Sequence, residues 1–423
     1  MRGKRAALCV LVLALVAASP TVVCAEEDIE VISSAATVQF PYAITFDIEV
    51  QGPAPIADID LLYTVESASL VPIVHRVDVE FVPGAQVSAS WQWDMVESGG
   101  EPPGAQVEFW WLVEDAEGHS LQTEAATVVF DDGRFAWQHI ESGEVTLYWY
   151  QGDEWFAQDL LDAATEAQAM LSADMGVSLE RPVSVYIYGS QADLLSAFIY
   201  PYEWTGGLAF YSYGIIALAV SPGNLSWGEG AIAHEMAHLV THQAVYGPFG
   251  LLPTWLDEGI AVYAEGEHGA RYAPALTVAI LQDELFTVRS LSGSFPADAE
   301  EALLAYAQSY SLVAFLIDGY GSGKLVALLD TFQEGSTADD ALKAVYGFDV
   351  DGLDALWRES LGVEPRPSPT PTLTPTPTLT LPSGVGSFST ITSWLRTVVI
   401  VGLVIAVLVV YWTVRSMRRT RSE

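Results

Sequence analysis

AIAHEMAHLV, residues 231–240, is the most informative segment of this chain. It is mostly apolar, which predicts a buried helix, and its two histidines, His234 and His238, stand four residues apart. Residues at this spacing lie on one face of a helix, about 5–6 Å from each other, so both imidazoles can reach one Zn²⁺. Glu235 follows the first histidine, where it can take a proton from metal-bound water. Because buried histidines and glutamates are costly unless they are paired or metal-bound, the segment predicts a zinc site.

A catalytic zinc ion needs a third protein ligand and an open position for water. His242 lies on the same helical face, but it is eight residues from His234, or about 12 Å along the axis, so one ion cannot reach both. We therefore expect His242 either to contact a metal ligand without binding the ion itself or simply to pack against its neighbours. The extended metzincin pattern requires a glycine and a histidine where this chain has Thr241 and Ala244, which excludes that class.

The third candidate is Glu258, in the segment DEGIA at 257–261, twenty residues after the second histidine. Thr254 and Asp257 have the spacing of a helix N-terminus. This places Glu258 in the first turn of a second helix, facing the first helix. Glu265, two turns further along the same predicted helix, is the alternative ligand.

DEGIA at 257–261, together with the paired histidines, resembles the gluzincins, the thermolysin-like and aminopeptidase-like zinc peptidases whose third ligand is a glutamate in an Asn-Glu-Gly-x-Ala context. The resemblance implies that Glu258 is the third ligand. Tyr306 and Gly321 have the fifteen-residue spacing of a gluzincin aminopeptidase helix whose tyrosine donates a hydrogen bond to the oxyanion. That implies the same role for Tyr306, with Tyr310 as the alternative. The Gly-Ala-Met-Glu-Asn motif that holds a free amino terminus is not apparent, so exopeptidase action is not implied.

The wider sequence is similar to the peptidase MA-like domain of bacterial surface proteins over roughly residues 135–362. Strand patterns at 145–150 and 183–188, a hairpin pattern at 206–220 and then a series of helices predict an α+β, gluzincin-type catalytic domain. If residues 215–220 form an edge of the sheet, they can pair with an extended peptide.

Residues 26–134 alternate apolar and polar positions in short runs, such as 44–50 and 107–113, separated by Gly- and Pro-rich turns. This period of two predicts half-buried strands and an all-β domain of the Ig-like sandwich type. His75 and His119 are isolated here, and we expect them in solvent rather than at a metal.

Both ends of the chain carry segments that direct a protein to a membrane. Residues 1–25 have the charged start, apolar stretch and small residues of a secretory signal peptide, and they contain both cysteines. Residues 363–395 are rich in Pro and Thr and predict an extended stalk. Residues 396–414 predict a single transmembrane helix, and the Arg-rich residues 415–423 predict a cytoplasmic tail. We therefore expect a single-pass protein of the cell membrane with residues 26–395 outside the cell.

The net charge of −37, from 54 acidic and 17 basic residues, disfavours nucleic acid as a partner. The expected partners are a protein or peptide substrate and the membrane that holds the C-terminal helix. The sequence predicts a zinc endopeptidase of the cell surface. Two alternatives stay open: a non-catalytic, zinc-containing adhesion or binding module, and a processing enzyme for neighbouring membrane proteins. Glu235 favours an enzyme, because a structural zinc site needs no base there.

Overall fold

The computed structural model describes residues 28–68, 71–176, 179, 181–200, 206–247 and 250–364. The predicted signal peptide, transmembrane helix and cytoplasmic tail lie outside these residues, as does the predicted stalk beyond residue 364. The domain boundaries inferred from the sequence therefore stay predictions.

Strands dominate the chain up to residue 149, and helices dominate it from residue 154. The strands of the described residues are β1 Glu30–Gln39, β2 Ala43–Gln51, β3 Ile56–Val65, β4 His75–Asp78, β5 Gln86–Asp94, β6 Ala105–Asp115, β7 Ser120–Gln122, β8 Ala126–Phe130, β9 Gln138–Ser142, β10 Val145–Trp149, β11 Val183–Tyr188, β12 Gly207–Phe210 and β13 Ile215–Ala219. The α-helices are α1 Met95–Ser98, α2 Glu154–Met175, α3 Gln191–Leu195, α4 Leu225–Ala244, α5 Thr254–Ala264, α6 Ala273–Gln282, α7 Ala299–Tyr320, α8 Ser322–Gln333, α9 Ala338–Tyr346 and α10 Val350–Ser360.

The N-terminal β region contains two antiparallel sheets around one core. β1, β2 and β5 form one sheet, and β4, β3, β6 and β7 form the other, with β8 also paired to β6. In β2 the alternate residues Ile44, Phe46 and Ile48 are buried, as the period of two predicts. Trp111 of β6 is fully buried, and its indole N–H donates to the Ser34 hydroxyl of β1 at 3.1 Å. The predicted β-rich N-terminal region is confirmed, and its Ig-like type stays a prediction.

The following region is built on a five-stranded sheet with the order β12-β13-β11-β10-β9. β10, β11 and β13 are parallel, and β9 and β12 are antiparallel strands at the two edges. The predicted α+β class is confirmed. Residues 215–220 were expected to pair with a peptide only if they formed an edge of the sheet. They do not form an edge, because β13 lies between β12 and β11. The chain reverses at residues 211–214, and this reversal puts β12 at the edge next to α4.

Helices α2 and α4 pack together beside this sheet and bury Leu160, Ile232 and Met236 in the main core. In the described part of the chain, α7 is the one helix long and apolar enough to cross a membrane. It packs against α5 and α6, with Leu312 and Leu316 fully buried in the same core. These contacts account for the apolar character of α7.

Candidate metal centre and active site

Two histidines of α4 and a glutamate of α5 converge on one point. His234 Nε2 lies 3.3 Å from Glu258 Oε2, and His238 Nε2 lies 3.7 Å from the same oxygen. The three donor atoms lie within 4.8 Å of one another. Two donors that each stand about 2.0–2.1 Å from one tetrahedral ion are about 3.3 Å apart. The fold therefore brings the three predicted ligands together at a spacing that suits zinc.

Both histidines are held by carboxylates on the ring nitrogen that faces away from Glu258. His234 Nδ1 lies 3.0 Å from Glu265 Oε1, and His238 Nδ1 lies 3.1 Å from Asp257 Oδ1. Because an ionised carboxylate only accepts, each Nδ1–H donates, so the neutral form of each imidazole presents its Nε2 lone pair toward Glu258. Glu265, the alternative ligand from the sequence, thus occupies an outer position next to His234.

The Glu258 carboxylate provides the structural test of whether a cation fits here. Its Oε2 atom is buried and has no hydrogen-bond partner among the described residues. A buried carboxylate oxygen without a partner is costly, and each facing Nε2 atom can bind a metal ion through its lone pair once its imidazole is neutral. A divalent cation between two imidazoles and one carboxylate satisfies all three groups. This donor set is one that catalytic zinc uses.

The charges at this centre shift the pKa values of its groups. Burial lowers the pKa of His234, but the carboxylates of Glu258 and Glu265 raise it to about 10. Burial also lowers the pKa of His238, and Asp257 raises it above its usual value. Burial raises the pKa of Asp257, yet the neighbouring imidazoles hold it well below the usual range. Without a metal ion the carboxylates therefore favour protonated imidazoles, and a bound cation would take the place of those protons.

Asp257 has a different role from the one that its spacing predicted. Helix α5 begins at Thr254 with Pro253 as its N-cap residue, and no side chain caps it. The Asp257 carboxylate instead joins two imidazoles, with Oδ1 near His238 Nδ1 and Oδ2 3.2 Å from His242 Nε2. His242 therefore lies in an outer position, which was one of the two places expected for it.

Glu235 lies beside the three ligands in a cleft of about 320 Å³. The cleft is bounded by α4, α5, Tyr306 of α7 and the edge strand β12, which contributes Gly207, Leu208 and Ala209. A Cβ atom on Gly207 would lie 2.8 Å from Glu235 Oε1, so glycine at this position lets the strand approach the carboxylate. Burial raises the pKa of Glu235.

Tyr306 reaches the same cleft from α7. Its ring centre lies 6.2 Å from that of His234 and 5.2 Å from that of Phe295, which it meets edge-on. Burial and the nearby carboxylates raise the pKa of Tyr306 well above its usual range, so the hydroxyl keeps its proton at neutral pH. Tyr310, the alternative, packs near the Tyr263 ring at 6.5 Å and is not part of the cleft wall.

Gly259 of the DEGIA segment explains why α7 comes so close to this centre. A Cβ atom on Gly259 would lie 2.5 Å from the Ser309 carbonyl oxygen of α7. A larger residue here would collide with the α7 backbone, so glycine lets α5 and α7 pack closely. The DEGIA motif includes this glycine, but the sequence did not show that glycine is needed here for close contact with α7. The sequence also did not predict that Gly207 would lie against Glu235. The pair Gly206-Gly207 at the start of a predicted strand was the one local pattern that could have indicated it.

Comparison with known proteins gives a family for the part of the chain that carries the cleft. Residues 163–363 match the family model of the Peptidase MA superfamily. No curated protein matches the sequence.

Three of the solved structures that match parts of this chain have low sequence identities and low TM-scores. An M1 zinc metallopeptidase from Deinococcus radiodurans is 16% identical, with 78% of this chain and 92% of that chain covered and a TM-score of 0.32. Aminopeptidase A of Legionella pneumophila, in complex with aspartic acid, is 11% identical over 78% of this chain and 50% of its own, with a TM-score of 0.36. Catalytically inactive OgpA from Akkermansia muciniphila, in complex with an O-glycopeptide substrate, is 13% identical over 25% and 29%, with a TM-score of 0.20. These TM-scores are too low to show a shared fold. The family therefore rests on the match over residues 163–363, and the metal ligands rest on the geometry of the site.

Proposed function

We propose that this chain, whose residues 163–363 belong to the Peptidase MA superfamily, is a zinc-dependent peptidase with His234, His238 and Glu258 as metal ligands. The observation that carries the proposal is the buried, unpartnered Oε2 atom of Glu258, which faces the Nε2 atoms of both histidines. Zinc suits these donors by type, number and spacing. The adjoining cleft leaves room for water and substrate on the open side.

A bound zinc ion supplies a Lewis acid that polarises the scissile carbonyl and lowers the pKa of a water molecule. Glu235, in the cleft beside the ligands, accepts the proton of the attacking water and delivers it to the leaving amine. The Tyr306 hydroxyl, which keeps its proton at neutral pH, donates a hydrogen bond to the oxyanion that develops on the carbonyl. Asp257 and Glu265 hold the two imidazoles in the tautomer that presents Nε2.

The substrate we propose is an extended peptide bound along β12. This strand is an edge of its sheet and lines the cleft, so its outer backbone groups can pair with a peptide main chain. The carboxylates in the described cleft wall belong to Glu235, Asp257 and Glu258, and each already has a role. None of these is left to hold a free α-amino group, which supports an endopeptidase rather than an aminopeptidase.

We also propose that the enzyme works outside the cell while attached to the membrane. The support lies in the sequence: the signal-like residues 1–25, the apolar residues 396–414 and the basic residues 415–423. The Pro/Thr-rich residues 363–395 would hold the cleft away from the bilayer. An Ig-like N-terminal domain completes this arrangement.

The test uses the full-length chain purified in detergent. Zinc content is measured first, and cleavage is then measured on peptide libraries with free and with acetylated amino termini. We expect stoichiometric zinc and cleavage of acetylated peptides at internal bonds. Glu235→Gln should keep its zinc and lose about 10²–10⁴-fold in rate.

Two other outcomes would replace parts of this proposal. Zinc binding without cleavage of any peptide would favour the non-catalytic surface module. Cleavage restricted to peptides with free amino termini would replace the endopeptidase with an aminopeptidase.

A further inference from the structure

The hairpin that carries the edge strand has a tightly constrained turn. β12 and β13 are joined by residues 211–214, in which Gly214 has a φ of 68°. A Cβ atom on Gly214 would lie 2.7 Å from the Pro182 carbonyl oxygen, so the turn needs glycine for its conformation and for its space. β12 has only four residues. A displacement of the turn therefore also moves Gly207, the residue packed against Glu235.

One side of this turn contacts the N-terminal β region. The Tyr213 hydroxyl donates to Glu101 Oε2 at 2.7 Å, and the Ala68 N–H donates to the Ser212 carbonyl. The Tyr213 ring packs against the buried core of the β region, as does Ile199, which precedes the hairpin. The β region thus holds the turn by hydrogen bonds and by apolar contact.

The other side of the turn contacts the metal centre. Tyr211 stacks on His242, with ring centres 4.3 Å apart and planes 13° from parallel. His242 shares the Asp257 carboxylate with His238. Tyr211 and Tyr213 therefore connect one four-residue turn to the ligand shell and to the N-terminal β region.

We infer that the N-terminal β region positions the substrate-binding edge of the peptidase, with Tyr213 and Glu101 as the positioning pair. Neither residue lines the cleft, so the pair acts through the hairpin and fixes where β12 lies relative to Glu235. A β region that served only as a spacer would need no hydrogen bond onto this turn. The catalytic consequence rests on the proposed function, whereas the effect on the hairpin does not.

Hydrogen–deuterium exchange on the full-length, zinc-loaded chain tests this positioning without relying on cleavage. Tyr213→Phe keeps the ring and removes the hydrogen bond, and Glu101→Ala removes the same bond from the other side. Both should speed exchange in residues 207–218 about two- to tenfold, the factor that one net hydrogen bond represents, with zinc content unchanged. Tyr200→Phe is the matched control, because the Tyr200 hydroxyl donates to the Val96 carbonyl of the β region at 2.9 Å but lies outside the hairpin. It should leave the hairpin amides unchanged.

Peptide cleavage tests the consequence for substrate binding. Tyr213→Phe and Glu101→Ala should raise KM about two- to tenfold with little change in kcat, and the double variant should be no worse than either single variant. Glu101→Gln still accepts the hydrogen bond and should restore most of the loss.

Two results would overturn the inference. The first is hairpin exchange that stays unchanged in both Tyr213→Phe and Glu101→Ala, whatever the effect on KM. The second is an equally large acceleration of hairpin exchange in the control Tyr200→Phe. A wild-type chain that cleaves no peptide would instead overturn the proposed function, and the exchange data would still decide whether the β region positions the hairpin.

Discussion

Two histidine–carboxylate pairs in this molecule have similar hydrogen bonds but different surroundings. His119 Nδ1 lies 2.8 Å from Asp115 Oδ2 in the turn after β6, and His238 Nδ1 lies 3.1 Å from Asp257 Oδ1 at the start of α5. Asp115 also accepts hydrogen bonds from the backbone N–H groups of Glu117 and His119. The carboxylate of the first pair therefore closes a turn.

The second pair belongs to a larger arrangement. His238 and His234 each have a carboxylate on Nδ1, and both direct Nε2 toward the buried, unpartnered oxygen of Glu258. Among the described residues, the groups able to hold a metal lie on α4 and α5. A carboxylate on Nδ1 fixes a tautomer, but only several donors around one unpartnered oxygen create a need for a cation. A histidine–carboxylate pair alone is therefore weak evidence for a metal site.

The largest effect expected from this comparison is the loss of metal when a ligand is removed. His234→Ala and His238→Ala should each lose stoichiometric zinc and all measurable cleavage, because two donors do not hold a catalytic ion. His119→Ala, the matched control in the β region, should keep both. Metal analysis and peptide cleavage measure these outcomes. Equal zinc loss in His119→Ala would break the distinction between the two regions.

A smaller effect is expected at the oxyanion. Tyr306→Phe should keep its zinc and lower kcat about 10²–10³-fold with KM little changed, as for a donor that acts mainly in the transition state. Tyr310→Phe, four residues further along α7, is the control and should behave like the wild type. A larger loss in Tyr310→Phe would reverse the assignment of the two tyrosines.

The outer carboxylates should have a graded effect on metal affinity. Asp257→Asn and Glu265→Gln are expected to weaken zinc binding about 10–100-fold, because each fixes the orientation of a ligand histidine. Asp115→Asn makes the same change in the turn of the β region and should leave zinc affinity unaltered. Competition with a chromophoric chelator measures these affinities. If both Asp257→Asn and Glu265→Gln bind zinc with wild-type affinity, these two carboxylates do not contribute to metal binding.

The smallest expected effect is on stability and depends on pH. Burial raises the pKa of Asp115, but the hydrogen bonds from His119 and from backbone amides bring it below its usual value. Because the folded pKa is the lower one, the ionised carboxylate stabilises the fold at pH values above the unfolded pKa of about 3.9, and this contribution disappears as the pH falls toward the folded pKa. The wild type should therefore melt above Asp115→Asn at pH 7, and the gap should narrow below about pH 4. A difference in melting temperature that stays constant across this pH range would contradict the stabilising role of the ionised Asp115 carboxylate.

The part of the site that could be predicted from the sequence is the part that one helix determines. His234, Glu235 and His238 share α4, so the helical repeat alone sets their relative positions. Glu258 lies on another helix, so the helical repeat could not relate it to the histidines, and the likeness of its DEGIA segment to the gluzincins singled it out among the candidates. In the β region the period of two predicted strands, but it could not assign them to two sheets. Sheet membership depends on partners that are distant in sequence.

The remaining features depend on contacts between distant segments. The hairpin pattern did not reveal which of its strands would join β11, so the edge strand was not identified. The spacing of Asp257 also fits a helix cap, and its actual partners are the histidines that precede it by nineteen and fifteen residues. The contact of Tyr213 with Glu101 spans 112 residues and left no local pattern.

The decisive measurement is the zinc content of Glu258→Ala, purified beside the wild type and Glu265→Gln. We predict stoichiometric zinc in the wild type, weaker but detectable binding in Glu265→Gln, and no zinc in a folded Glu258→Ala. The reason is that the buried Oε2 atom of Glu258 faces the Nε2 atoms of both histidines, whereas Glu265 contacts His234 at Nδ1 and pairs with Arg271 at 2.9 Å. A Glu258→Ala chain that keeps stoichiometric zinc would contradict the assignment of this glutamate as the third ligand.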